Sequence, residues 1–159
     1  MQDVLKILEE DARTTPEQVA VMTGRPVEEV KQIIKQAEDD RVILGYRTQV
    51  NWEKGGKEEV WALIGLKAMP QRDVGFDALA QRISRFPEAR SVYLVTGDYD
   101  LAIMVVAPTM QEVSSFVSRK LLTIEGVQGT VSHFVMQRYK DQGVTIDEEE
   151  RPQRLAYAP

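Results

Sequence analysis

The sequence contains no cysteine and a single histidine. Without cysteine there is no disulfide framework and no thiolate chemistry. One imidazole leaves a zinc site almost without nitrogen ligands, so no metal and no cofactor is expected. Long hydrophobic runs are also missing. The apolar stretch Leu101 to Ala107 is seven residues, far short of the ~18 that a membrane span needs. Met1-Gln2-Asp3 has no basic n-region, and Leu5-Lys6-Ile7-Leu8-Glu9 is too short and too charged for an h-region. A cytoplasmic protein without membrane contact is expected. There is no excess of positive charge: 20 Lys and Arg against 25 Asp and Glu give a net −5, which argues against non-specific binding to polyanions. What remains is a globular composition, 43% hydrophobic and 28% charged over 159 residues, enough for one ordinary domain or two small ones.

The first half has helical periodicity. Val4, Leu5, Ile7 and Leu8 recur at helical spacing. Thr15-Pro16-Glu17-Gln18 supplies an N-cap, a proline at the first helical position and the reciprocal glutamine of a capping box. Val19, Ala20 and Met22 form a short apolar face, and Gly24 ends that helix. From Pro26 onward Val27, Val30, Ile34 and Ala37 fall on one stripe, with Ile33 at its edge. Two short helices, a glycine turn and a longer helix make a helix-turn-helix. Val42 to Val50 suits a β-hairpin wing with Gly45 at its bend. Residues 1–50 thus read as a winged helix-turn-helix domain and residues 51–59, with Gly55-Gly56, as a linker.

The second half changes period. Strand patterns cover Val60 to Ala68, Ser91 to Val95, Tyr99 to Ala107 and Val127 to Gln137. Helical patterns cover Asp73 to Phe86 and Met110 to Leu122. The order βαββαβ over residues 60–140 is that of a ferredoxin-like domain, so the fold class is α+β. Two helices cover one face of such a sheet. Yet Val60-Trp61-Ala62-Leu63-Ile64 and Leu101 to Val106 are apolar on both alternating faces, which an exposed face would not be. A second copy of the chain is the cheapest cover. Residues 141–159, with Asp147-Glu148-Glu149-Glu150 and two prolines, read as a solvated acidic tail.

Three stretches carry a resemblance. Ile7-Leu8-Glu9-Glu10-Asp11-Ala12-Arg13 resembles the first-helix signature of leucine-responsive regulatory protein/AsnC regulators, and Val42-Ile43-Leu44-Gly45-Tyr46 resembles the segment after their third helix. Val95-Thr96-Gly97-Asp98-Tyr99-Asp100-Leu101 resembles the turn that opens the third strand of their amino-acid-sensing domain. The resemblance runs over roughly residues 2 to 140. It implies a DNA-binding transcriptional regulator that responds to a small effector, commonly an amino acid. It also implies a dimer that often assembles further, commonly to an octamer.

In a helix-turn-helix the second helix of the motif enters the major groove of double-stranded DNA. Its exposed face here carries Glu28, Lys31, Gln32, Lys35 and Gln36. Lysine can meet guanine or phosphate, glutamine can pair with adenine, and glutamate can accept from cytosine. Arg25, Arg41 and Arg47 are placed to touch phosphates. Against this, residues 1–50 hold seven basic and ten acidic side chains, a net −3, although phosphate neutralisation supplies most non-specific affinity. Modest affinity per half-site, recovered over several half-sites, is the expectation.

A free amino acid needs acceptors for its ammonium and donors for its carboxylate. Asp98 and Asp100 offer the first. The N–H groups of Gly97, Asp98 and Tyr99 offer the second if the turn forms a nest. Thr96, Thr130, Ser132 and His133 add polar contacts, in a cleft at a subunit junction. By residue type alone Gly-Asp is ordinary hairpin chemistry; the resemblance turns the reading towards an effector site. His133 reads as a core or interface histidine rather than a catalytic or metal-binding one. Two alternatives stay open. Sirohaem decarboxylases share the two-domain form, but would need histidine and arginine groups that are scarce here. A sensing module that has lost DNA binding would account for the acidic first half.

Overall fold

The computed structural model describes residues 1–70 and 75–146. They divide into two compact units, Met1–Val50 and Asn51 onward. The first unit holds α1 (Gln2–Glu10), α2 (Pro16–Thr23) and α3 (Val27–Asp39). Val4, Leu8, Val19, Ala20 and Val30 form its core, with Ile7, Val27, Ile33, Ile34 and Ile43 packed at the margin. The Thr15 capping box is complete: the Thr15 N–H donates to Gln18 Oε1 at 2.9 Å and the Gln18 N–H to Thr15 Oγ1 at 3.3 Å. Gly24 takes the left-handed conformation, φ 69°, that ends α2 and turns the chain into α3.

Two expectations for this unit are corrected. Met22 does not face inward; it is exposed. Four residues on from Val19, the half-buried Thr23 takes that place, its hydroxyl donating to Val19 O at 2.7 Å. The β-hairpin wing is not formed either: residues 42–50 contain no strand. Instead the N–H groups of Val42 and Ile43 both fold back to Ala37 O, at 2.8 and 2.9 Å. That seats Ile43 on the helical core and leaves Val42, Leu44 and Tyr46 exposed. The alternation is that of a strand, but among the described residues nothing covers its apolar side.

The second unit opens with a helical turn where a plain linker was expected. Gly55 N–H donates to Asn51 O at 2.9 Å and Lys57 N–H to Trp52 O at 3.0 Å. The Asn51 side chain caps this turn through the Lys54 N–H at 3.2 Å. Then follow β1 (Val60–Ala68), α4 (Asp77–Ser84), β2 (Ala89–Leu94), β3 (Leu101–Ala107), α5 (Met110–Phe116) with a π-helical turn over Val117–Leu121, and β4 (Val127–Phe134). The sheet order is β2-β3-β1-β4, antiparallel throughout, which is the ferredoxin-like arrangement. The start of the expected helix at Asp73 lies outside the described residues.

Strand alternation sorts the sheet into two faces. Ala62, Ile64, Leu66, Leu101, Ile103 and Val105 are buried against Leu79, Ile83, Val113, Phe116 and Leu121 of the helical layer. The other face carries Leu63, Gly65, Ala102, Met104 and Val131, and on it Leu63 is 39% and Val131 45% exposed. The stretch expected as tail from residue 141 opens instead as part of a hairpin. Lys140–Asp141 (β5) pairs with Val144–Thr145 (β6) across Gln142-Gly143. Both turn residues have positive φ, 44° and 87°, as a two-residue type I′ hairpin requires. The acidic run Asp147-Glu148-Glu149-Glu150 lies outside the described residues.

One half-buried ion pair pins the helical layer to the sheet. Lys120 Nζ lies 2.5 Å from Glu88 Oε1, above the rings of Phe86 and Phe116 at 5.4 and 5.8 Å. Burial pushes the Glu88 carboxyl up. The hydrogen bond from Lys120, the Glu88 backbone N–H and the lysine charge together outweigh it and hold the group below its ordinary range. A depressed folded pKa stabilises above the unfolded value, about 4.3, and the contribution is lost as pH falls through the folded value. Glu88→Gln is therefore expected to cost about 1–2 kcal/mol at neutral pH, discounted for partial exposure. The cost should shrink as pH drops below about 4. Denaturant titrations at both pH values check this, and an equal loss at each would contradict it.

Candidate functional site

The second helix of the helix-turn-helix, α3, turns Val30 and Ala37 fully inward and half-buries Val27, Ile33 and Ile34. Geometry then leaves Glu28, Lys31, Gln32, Lys35 and Gln36 on the exposed side. The cations of this region are not equivalent. The Arg25 guanidinium is held between Asp3, at 2.9 Å, and Glu29 one helical turn on. The hydrogen bonds it donates to these two carboxylates raise Arg25, and its guanidinium, with the N-terminal ammonium, holds Asp3 well below the usual carboxylate range. Lys31 Nζ lies 3.0 Å from Glu28 and 4.0 Å from Glu17, and the hydrogen bond to Glu28 raises it. Gln36 donates to Asp40 at 2.8 Å.

Gln32, Lys35, Arg41 and Arg47, by contrast, have no side-chain partner among the described residues. Arg41 stands just past the end of α3 in the left-handed conformation, φ 56°. Arg47 and Lys6 line a groove between α1 and residues 42–47. The charge balance read in the sequence is thus resolved residue by residue. Arg25 is occupied by Asp3 and Glu29, and Lys31 and Glu28 by each other, whereas Lys35, Arg41 and Arg47 make no ion pair among the described residues.

The turn between β2 and β3 treats its two aspartates differently. Asp100 is built into the sheet. Its Oδ2 accepts from the Ala68 N–H at 2.9 Å, its Oδ1 lies 3.5 Å from Lys67 Nζ, and its own N–H donates to Leu66 O at 3.0 Å. The cause is the register shift of β1 against β4 between Lys67 and Ala68, which leaves the Ala68 N–H for a side chain to satisfy. Val95 N–H donates to Asp100 O at 3.0 Å and closes the loop. Asp98 is exposed and makes no hydrogen bond or ion pair among the described residues. The N–H groups of Gly97, Asp98 and Tyr99 make none either, and Gly97 has φ 121°. Thr96 is exposed beside them.

The register separates the three polar residues of β4. Thr130 pairs with Leu66 and Ser132 with Ile64, so both lie on the helix side of the sheet. His133 pairs with Leu63 on the open face. There its ring meets Tyr99 edge-on, centroids 6.5 Å apart. The structure therefore brings Tyr99 and His133 together and sets Thr130 and Ser132 apart from them. It also adds a residue that the sequence reading missed. A β-carbon at Gly65 would lie 2.6 Å from Cγ of Tyr99, so the tyrosine ring is stacked on the glycine backbone. A lone glycine inside an apolar strand was the available signal, since it marks close approach of another group.

Among the described residues no group of three His, Cys, Asp or Glu side chains could hold a metal, and no helix is long and apolar enough to cross a membrane. The profile of the Lrp/AsnC ligand binding domain matches residues 61–145. The HTH-type transcriptional regulator YugG of Bacillus subtilis is 41% identical over 158 residues, 99% of this chain and 95% of that one. The leucine-responsive regulatory protein of Rhizobium meliloti is 27% identical, with 87% of this chain and 88% of that one covered. Among solved structures, the leucine response regulatory protein LrpA of Mycobacterium tuberculosis superposes with a TM-score of 0.75 at 21% identity, covering 92% and 97% of the two chains. A transcriptional regulator of Neisseria meningitidis, solved in complex with L-methionine, gives 0.71 at 23% identity, covering 91% and 94%. The chain belongs to the Lrp/AsnC family of HTH-type transcriptional regulators.

Proposed function

We propose that this chain is a sequence-specific regulator of transcription that reads the major groove with α3 and responds to an amino acid bound at the Thr96–Asp100 turn. The observation that carries the DNA reading is the α3 stripe. With Val30 and Ala37 buried and Val27 and Ile34 packed beside them, Gln32 and Lys35 project from the opposite side with no competing partner. Arg41 and Arg47 add phosphate contacts. Arg25, Lys31 and Glu28 take part less directly, because their charges already meet in ion pairs. Exposed pairs of this kind are worth about 0–1 kcal/mol, so a phosphate can displace their carboxylates at small cost.

A salt titration of binding to the DNA upstream of the chain's own gene tests this. Lys35→Ala is expected to weaken binding and flatten the log–log salt slope by roughly one unit. Lys31→Ala should change the slope by less, since Lys31 starts out neutralised by Glu28. Slopes unchanged in both variants would remove α3 from the interface.

The effector reading rests on the free groups of the turn. Among the described residues Asp98 offers an unpaired carboxylate for an ammonium, and three consecutive N–H groups without acceptors suit a carboxylate. The L-methionine in the Neisseria complex is a ligand of this chemical class. Thermal-shift measurements with the twenty amino acids identify the one this chain takes.

The open sheet face supports a homodimer. Leu63, Ala102, Met104 and Val131 are contiguous there with Tyr93 at the edge, and monomers rarely leave such a patch uncovered. The exposed alternation of Val42, Leu44 and Tyr46 offers a second surface for the same partner. Further assembly, to an octamer, would multiply half-sites and recover affinity that one acidic domain lacks.

A further inference from the structure

Gly65 sits in the middle of β1, paired with Ala102 on one side and Val131 on the other. Glycine weakens a strand by about 0.5–1 kcal/mol relative to alanine. No unusual φ requires it here: Gly65 is not among the glycines with positive φ. What excludes a side chain is space. A Cβ would stand 2.6 Å from Cγ and Cδ2 and 2.7 Å from Cδ1 of Tyr99. Carbon atoms ordinarily pack at about 3.5–4.0 Å, so even alanine would lift the ring by roughly 1 Å.

Tyr99 is bonded on one side to Asp98 and on the other to Asp100. Asp100 is clamped to Leu66, Lys67 and Ala68. The turn is thus held to β1 at two adjacent points, the Asp100 clamp and the Tyr99 ring. The free groups of Gly97 and Asp98 follow directly from the second. His133 meets the same ring from the neighbouring strand.

We propose that Gly65 is a positioning residue of the effector site: its bare backbone seats the Tyr99 ring, and that seat sets where the Asp98 carboxylate and the Gly97–Tyr99 N–H groups stand. This rests on the reading of the turn as the effector site. Binding groups must be held within about 0.5 Å of their productive place, and a displacement of about 1 Å can cost up to a hundredfold. Gly65 acts on the effector only through Tyr99, and that makes a specific demand on a double-mutant cycle.

The experiment is calorimetry with the tightest-binding of the twenty L-amino acids, on the full chain and on Gly65→Ala, Tyr99→Ala, the double variant and Asp98→Ala. Gly65→Ala should weaken binding about 10- to 100-fold. In the Tyr99→Ala background, where the ring is gone and the new methyl group has room, Gly65→Ala should cause no further loss. That comparison holds even if Gly65→Ala alone lowers the melting midpoint. Unchanged affinity in Gly65→Ala, or losses that multiply in the double variant, would overturn the seat. If Asp98→Ala loses binding while Gly65→Ala keeps it, only the seat is wrong. If Asp98→Ala binds as the unsubstituted chain does, or no amino acid binds the unsubstituted chain, the effector reading falls and this inference with it.

Discussion

Replacing Asp100 with alanine is expected to destabilise the second unit by about 2–4 kcal/mol, whereas replacing Asp98 should cost the fold about 1 kcal/mol or less and abolish the effector response. The two residues stand two apart in one turn, so the contrast is sharp. Without the Asp100 carboxylate, the Ala68 N–H at the β1 register shift has no acceptor and Lys67 loses its partner. An unsatisfied buried donor costs about 1–3 kcal/mol, and a hydrogen bond to a charged group adds about 1.5–3. The sum is discounted because Lys67 is exposed. Asp98 makes no hydrogen bond or ion pair among the described residues. Its loss matters when an ammonium has to be desolvated beside it, at about 2–5 kcal/mol, or roughly thirtyfold or more in affinity. Denaturant unfolding and calorimetry on both variants measure the two quantities separately. Equal destabilisation by the two substitutions would contradict the division of labour.

Leu63→Lys is expected to dissociate the proposed dimer and leave the protomer folded. Leu63 lies near the centre of the open face, between Met104 on β3 and His133 on β4. In the single chain it is already 39% exposed, so a charged side chain there can reach water at little cost to the fold, within about 0.5 kcal/mol. In a face-to-face dimer the same ammonium is buried without a counter-ion. The cost is about 3–5 kcal/mol per buried charge, and the dimer carries two, so the dissociation constant should rise by at least roughly two to four orders of magnitude. Sedimentation velocity over a concentration series reads this directly. A variant with the mass of the unsubstituted assembly at every concentration would move the interface elsewhere.

What the sequence made legible was what is decided within a few residues. The Thr15 capping box, the Gly24 turn, the inward stripe of α3 and the period-2 strands depend on local spacing, and the structure has each of them. The two-sided apolarity of β1 and β3 was legible for the same reason. The rest depends on chain segments that spacing cannot bring together. Arg25 looked like a phosphate contact because nothing in its neighbourhood shows Asp3, 22 residues away, beside it. Asp98 and Asp100 looked interchangeable because the donor that claims Asp100 lies 32 residues back, at a register shift. Thr130, Ser132 and His133 looked like one polar cluster, but parity along β4 sends them to opposite faces. The wing failed for a different reason. Its alternation is that of a strand, and a strand forms only where a second one pairs with it.

Two proposed sites, DNA read by α3 and an amino acid held at the turn through Asp98, have to be coupled in one regulator. Fluorescence anisotropy of labelled upstream DNA, titrated with the unsubstituted chain and with Asp98→Ala, each with and without the amino acid found by thermal shift, tests the connection in one measurement. Both proteins are expected to bind the DNA alike without effector, and the amino acid to shift the curve of the unsubstituted chain only. An equal shift in the two proteins, or no binding to DNA by either, would contradict it.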